Sequence, residues 1–599
     1  MPIHRVKRSL TAGEISPLMS ARTDLPRYQT GCKVMRNMYV LPQGPATRRP
    51  GTKFIADLSA YTVGMGAVTA VDIIPFVFSG TQSYALILLF DGTRTRLLVG
   101  YLDGLVADPM LPLVPLQVTS VKGIQPRVMD YAQSGDVLFI TQRSISPTEL
   151  TRTAHDAWAF SDTVFTDPPA AWVAADYPGK ISLFDQRAVY ASNVTYPQTI
   201  WSSKAGDYYD FGVSAPLVAD DAVTFTLASG KQNTFAWMVD SGRLLIGTLG
   251  DEWTFSGSGN TPLAFNSVYA RRHTEEGSSD IKPIMIGSST LFVEFLGRAV
   301  FDFSYDYNTD SYQASDLSLL ASHLTAEHSI VDWDYQKKPY SVVWAVRDDG
   351  GMIGLTYLKN EKIVGWHRHD TDGLFKAVAC TPSRVNRETD TWIIVEREIG
   401  GVDKLYLEKF VPGFRETSTG SVDAFFVDSG LTYSGPPAVQ ITGLNHLEGK
   451  TVSILADGAV SPEQVVVGGA ITLPVAASKV TVGLPYQSDL NPYPAAKEAA
   501  AVDAGRGAMV GRTQRITNAT VLLHESMGMS IGRDEDSLEK VYFRVPANPM
   551  STAIPLFTGA KSVSFPEGYQ KDATVYIRQT DPLPLTVLGV VDEIETYER

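Results

Sequence analysis

One spacing constrains this chain more than any other feature. Short apolar runs suited to strands recur from residue 70 to 410: YALILLF at 84–90, DVLFIT at 136–141, AVYAS at 188–192, RLLIGT at 243–248, TLFVEF at 290–295, SVVWAV at 341–346 and TWIIVE at 391–396. With Leu86, Leu138, Val189, Leu245, Phe292, Val343 and Ile393 as anchors, the steps are 52, 51, 56, 47, 51 and 50 residues. Each run is followed by a turn and a second strand, such as Gly297 to Phe303 or Gly354 to Tyr357. A period of about 50 residues is that of β-propeller blades. The spacing predicts an all-β fold: a propeller over 66–415 of about seven blades, with six to eight possible, plus small β domains and few helices.

The flanks read differently. Residues 10–55 hold five prolines and little periodicity. Proline fixes φ and removes a donor, so this stretch is expected to be an extended arm, 1–65, lying across another surface. Residues 416–490 alternate small and β-branched residues with turns and predict a compact β-sandwich or barrel of six or so strands. The segment PAAKEAAAVDAGRGAMV at 494–510 has a proline start and alanine-rich propensity. It predicts a helix opening a C-terminal segment, 491–599, whose strands pack back on the platform.

Composition excludes several classes. Hydrophobic residues make up 44% and charged residues 19% of the 599, which is ordinary for a folded protein. A net charge of -14 argues against wrapping nucleic acid by phosphate neutralisation. Cys32 and Cys380 are too few for a disulfide framework or a four-cysteine zinc site. The longest apolar run, 84–90, is far short of the ~20 residues of a membrane helix. The basic N-terminus lacks the apolar core of a secretory signal, so assembly in a reducing cytoplasm is expected.

Candidate chemistry is thin. His367 and His369 lie two apart and would share one face of a surface strand, without an evident third ligand. His323 and His328 make no better case. The carboxylate runs Asp220–Asp221, Asp348–Asp349 and Asp534–Glu535–Asp536 read as solvated, although a propeller glycan-degrading enzyme would need two carboxylates brought together in space. Cys32, beside Lys33, reads as a structural thiol. No catalytic residue, metal or cofactor is expected. The basic group Arg48–Arg49, with Lys33 and Arg36 upstream, reads as ion pairing to an acidic neighbour domain or subunit.

At residues 13–54 the text GEISPLMSARTDLPRYQTGCKVMRNMYVLPQGPATRRPGTKF resembles the N-terminal signature of structural proteins of short-tailed bacteriophages. The matching residues are Gly13, Glu14, Ser16, Pro17, Arg22, Asp24, Tyr28, Asn37, Pro42, Gly44, Arg48, Arg49, Pro50 and Gly51. Later phrases agree in order: QSGD at 133–136, PTELTR at 147–152, PQTIWSSKAGDYYDF at 197–211, SYDYNTDSYQASDLS at 304–318, WHRHDTDG at 366–373 and GLNHLEGKTVSILADG at 443–458.

The resemblance implies a tail nozzle, or tail tubular protein B-like, component of the virion. Its partners would be five further copies in a homo-hexamer, the portal-adaptor (tail tubular A-like) protein, tail fibres or spikes, and genomic DNA passing through the lumen without specific binding. The family has no catalytic residues to carry over. A tail needle hub and a receptor-binding tail component are the alternatives. A conduit must not grip its cargo, so acidic side chains are expected to outnumber basic ones on the inner wall. Arg22, Asp24, Arg48 and Arg49 are the expected assembly contacts, the two later arginines pairing with carboxylates.

Overall fold

A computed structural model describes residues 3–111, 113–228, 230, 233–385, 387–414, 420–494, 513–544, 553, 555–565, 568–571 and 573–596. The helix expected at 494–510 lies outside the described residues, except for Pro494. The described chain is nearly all β, with one five-residue α-helix at Pro26–Thr30.

From Ala70 onward the chain lays down antiparallel sheets in which consecutive strands pair. The first sheet begins with Ala70–Ser79, the second with Asp130–Ser134 and the third with Lys180–Phe184. The fourth begins with Phe235–Asp240, the fifth with Ile284–Ile286, the sixth with Ile330–Gln336 and the seventh with Leu374–Ser383. All seven anchor residues read from the sequence fall on the second strand of their sheet and are buried. The 50-residue period is therefore one sheet per repeat. Turns with positive φ at Gly242, Gly297 and Gly400 punctuate it.

Adjacent sheets share their cores. Leu86 and Leu138 join the first and second, Phe139 and Tyr190 the second and third, and Val189 and Ile246 the third and fourth. Leu245 and Phe292 join the fourth and fifth, Leu291 and Val343 the fifth and sixth, and Trp344 and Ile393 the sixth and seventh. Ile394 and Trp392 of the seventh pack with Ile87 and Leu98 of the first. Each sheet thus buries both faces, as its continuous apolar strands require.

The N-terminal segment departs from a lightly packed arm. Its prolines do keep it extended, but the strands between them are built into three sheets. Ile3–Lys7 pairs with the C-terminal strand Thr586–Thr596. Gly13–Glu14 and Gly31–Arg36 connect the last strand of the sixth sheet, Ile363–His369, to Ser488–Pro492. Thr52–Asp57 supplies the fourth strand of the seventh sheet. That last pairing joins the beginning of the chain to Val402–Phe410.

Residues 416–490, expected as a compact sandwich or barrel of six or so strands, continue the seventh sheet. Four strands, Asp428–Thr442, Thr451–Ala456, Ala459–Val465 and Ala470–Leu484, extend the seventh sheet through the contact of Gly430 with Lys53. They enclose a core of their own around Leu447, Ile454 and Val480. The C-terminal strands share a core with Leu10, Cys32, Met35 and Val40.

Candidate functional site: a buried arginine junction and an acidic cavity

Asn37, Arg48, Arg49 and Gly51 converge where the N-terminal segment, the seventh sheet and the 428–484 strands meet. Arg49 is fully buried and makes a fork to Asp428 at 2.8 and 2.6 Å. Its Nε donates to Asn37 Oδ1 at 2.9 Å, and Nη2, one arm of the fork, also donates to the Asp370 carbonyl at 2.9 Å. The planar cation lies 4.0 Å from the Tyr486 ring centroid. Burial alone would raise the Asp428 carboxyl, but the Arg49 and Arg397 guanidiniums bring it below its ordinary value. Burial pushes the Tyr486 phenol up to about 12.

Arg48 is as deeply buried but meets no carboxylate in its hydrogen bonds. Nε donates to Ser488 Oγ at 3.0 Å, and the other nitrogens donate to the carbonyls of Leu583 at 2.9 Å, Tyr486 at 2.8 Å and Asp581. It fastens the C-terminal strands by satisfying backbone acceptors. Gly51 then passes so close to Val427 that a Cβ would collide with its carbonyl. A second buried fork continues the network. Arg397 meets Glu408 at 2.7 and 2.9 Å, and Thr52 Oγ1 donates to Glu408 at 2.6 Å.

The other two expected contacts behave differently. Arg22 and Asp24 are exposed and pair with each other at 2.9 Å. The hydrogen bond from Arg22 holds the Asp24 carboxyl below its ordinary value. Arg48 and Arg49 are buried inside their own chain, so neither is displayed for another subunit in this structure.

The histidine pair sits on one strand face, but that face is buried rather than at the surface. His367 Nδ1 and His369 Nε2 are 2.6 Å apart, against Trp344. Burial drops His367 to about 3, which keeps the ring neutral, and His369 falls well below its ordinary value. His323 Nε2 lies 3.1 Å from Glu14 Oε1, another signature residue. His328, Asp348 and Asp349 are close enough together to share a cation. Asp349 is already forked to Arg347 at 3.1 and 2.6 Å, which competes with that use. Burial raises Cys32 to about 12, so it is an inert thiol.

One constellation was not anticipated. A cavity of about 180 Å³ lies among the first strands and is lined by Asp72, Asp130, Asp332 and Asp334, with Arg127 and Lys282. Three of these carboxylates are latches between sheets. Asp130 accepts from the amide of Ile181 on the next sheet at 3.0 Å, Asp332 from Val378 at 2.8 Å and Asp334 from Cys380 at 2.6 Å. Burial raises Asp72, Asp332 and Asp334, the last to about 7, and the Asp332 charge raises Asp72 further. The signal was present in the phrase DWDY at 332–335. Carboxylates two apart on a strand share a face, whereas the adjacent pairs singled out from sequence cannot.

Compared with known proteins, the chain matches no protein-family model and no curated protein. Among solved structures it is similar to a chain of "Crystal Structure of Mitotic Checkpoint Complex", at 7% identity and a TM-score of 0.33, covering 61% of this chain and 95% of that one. At that TM-score the likeness carries no argument. The class that stands on the chain's own geometry is an all-β protein of several packed sheets.

Proposed function

We propose that this chain is a virion structural protein, the nozzle ring of a short phage tail, and that its seven sheets are the blades of a closed propeller. The strand Thr52–Asp57, completing the seventh sheet from the other end of the chain, supports closure. The observation that carries the functional reading is where the signature residues lie. Glu14, Asn37, Arg48 and Arg49 are buried, and Arg48 and Arg49 hold three parts of the fold together. A signature spent on joining domains belongs to a scaffold rather than to a reaction centre, and no catalytic step is assigned.

The conduit in this reading is the space enclosed by six copies, not the axis of one chain. The ring would sit on the portal-adaptor protein, carry fibres or spikes, and let DNA slide without gripping it. The test is quantitative mass spectrometry of purified particles of the encoding phage, scaled to the major capsid protein. Six copies are expected. Absence from the particle, or a multiple of three above six, would overturn the nozzle reading.

A further inference from the structure

We propose that the seam between the fourth and fifth sheets binds a polysaccharide that carries scattered carboxylates. The site goes beyond the virion reading and does not depend on it. The seam runs where the last strands of the two sheets, Val268–Thr274 and Ser311–Asp316, touch. Tyr269, Arg271 and His273 alternate along the first of these strands and so share one face. Against that face lies Tyr312, its ring 5.2 Å from His273, and Tyr305 sits directly across the strand pair from Tyr312.

The seam is held in shape before any ligand arrives. The Tyr312 amide donates to His273 Nδ1 at 3.2 Å, which leaves the His273 proton on Nε2 to donate to Thr254 Oγ1 at 3.0 Å. Burial, and then the Arg271 and Arg243 charges, bring His273 down to about 4, so this pin between the sheets stays neutral. Arg271 Nη1 donates to the Asp310 carbonyl at 3.4 Å. The Tyr305 hydroxyl donates to Asp310 Oδ1 at 2.5 Å, and its ring packs 5.6 Å from that of Tyr312. Tyr305 is nevertheless 49% exposed and Tyr269 46%. An exposed ring already fixed in place loses little freedom when a ligand stacks on it.

Charge selects the occupant. Among the described residues neither Arg243 nor Arg271 is ion-paired to a carboxylate. Arg243 lies near enough for its charge to bear on His273 and on the Tyr305 and Tyr312 phenols. A guanidinium fork fits a carboxylate, and a tyrosine offers a flat apolar face with a hydrogen-bonding edge, which matches the C–H face and hydroxyl rim of a sugar. The acids nearby are engaged locally: Asp240 accepts from Gly242, Asp306 from Asn308 and Asp310 from Tyr305. They leave the seam close to neutral overall. Two unpaired cations in a near-neutral setting suit a polymer with an occasional negative charge. They do not suit one charged at every unit, as single-stranded nucleic acid is.

The test is calorimetric titration of the intact chain, near physiological salt, with polygalacturonate oligomers. Dextran oligomers, oligothymidylate and poly-glutamate are titrated beside them. Saturable binding of polygalacturonate is expected, with weaker binding of neutral dextran and none of the other two. The double variant Arg243→Ala, Tyr305→Ala is expected to weaken that binding by at least about tenfold with an unchanged melting temperature. Arg271→Glu, which opposes the ligand's charge at an exposed position, is expected to weaken it as well and covers the case in which the double variant fails to fold. No binding of polygalacturonate, tighter binding of oligothymidylate or poly-glutamate, or undiminished binding by these variants would overturn the proposal. Copy number in particles is read separately, so a failed sugar site and a failed nozzle remain distinguishable.

Discussion

The molecule holds two buried polar centres that handle charge in opposite ways. At the arginine junction every carboxylate meets a guanidinium: Asp428 faces Arg49, and Glu408 faces Arg397. In the cavity among the first strands, Asp72, Asp332 and Asp334 lean mainly on backbone amides, with Arg127 and Lys282 alongside. The consequence is a split in proton affinity. Asp428 is held below its ordinary value and the three cavity carboxyls above theirs. Burial is common to both centres, so pairing is what decides the sign.

The comparison is broken most forcefully at the junction. Arg49→Ala leaves Asp428 as an uncompensated buried charge and is expected to destabilise the fold by roughly 3–5 kcal/mol. Urea denaturation of the soluble variant measures it. The paired variant Arg49→Met, Asp428→Leu should recover much of the loss, because replacing both charges removes the desolvation penalty along with the attraction. If the pair variant is no better than Arg49→Ala, the ion pair is not the source of the stability.

Arg48→Ala should rank next. It strips donors from the carbonyls of Tyr486, Asp581 and Leu583, and each buried acceptor left unmet costs about 1–3 kcal/mol. Hydrogen exchange is the sharper readout. Exchange should rise in Ser488–Pro492 and Tyr576–Gln579 before it rises in the first sheet.

How much of this was legible follows from what sequence encodes locally. The sheets were legible because each repeat needs an apolar second strand, and Leu86 through Ile393 mark all seven. The role of the N-terminal segment was not. Prolines announce extension, but pairing Thr52–Asp57 with a strand some 350 residues later is a long-range choice that no local pattern carries. Arg48 and Arg49 stood out as a basic pair, yet the partner Asp428 is one of many aspartates until the fold places it. The His367–His369 face was read correctly as shared and wrongly as exposed, because alternation fixes a face and only packing against Trp344 says which face is inside.

The cavity gives the pH test. A carboxyl whose folded value is raised contributes stability that is fully present below its unfolded value near 4 and lost as pH rises through the folded value. Asp334, at about 7, places that loss between about pH 4 and 8. Asp428 has the opposite sign: its contribution is present above about pH 4 and lost as pH falls through its depressed folded value. The melting temperature should therefore rise from pH 8 towards pH 5 and fall in stronger acid. Asp332→Asn with Asp334→Asn should flatten the upper limb and leave the acid limb in place. An unchanged upper limb would mean that the latches are not what titrates.

The smallest effect belongs to Arg22 and Asp24. They form a well-shaped fork, like Arg49 and Asp428, but both are open to water. In water the Coulomb gain is small and salt screens it, so Arg22→Ala should leave the isolated chain's melting temperature unchanged. The same substitution tells whether this exposed pair has work elsewhere. A defect in incorporation into particles, with stability intact, would mark the pair as an assembly contact. Normal incorporation would leave Arg22 and Asp24 as solvated surface, and would place the whole weight of the signature on its buried residues.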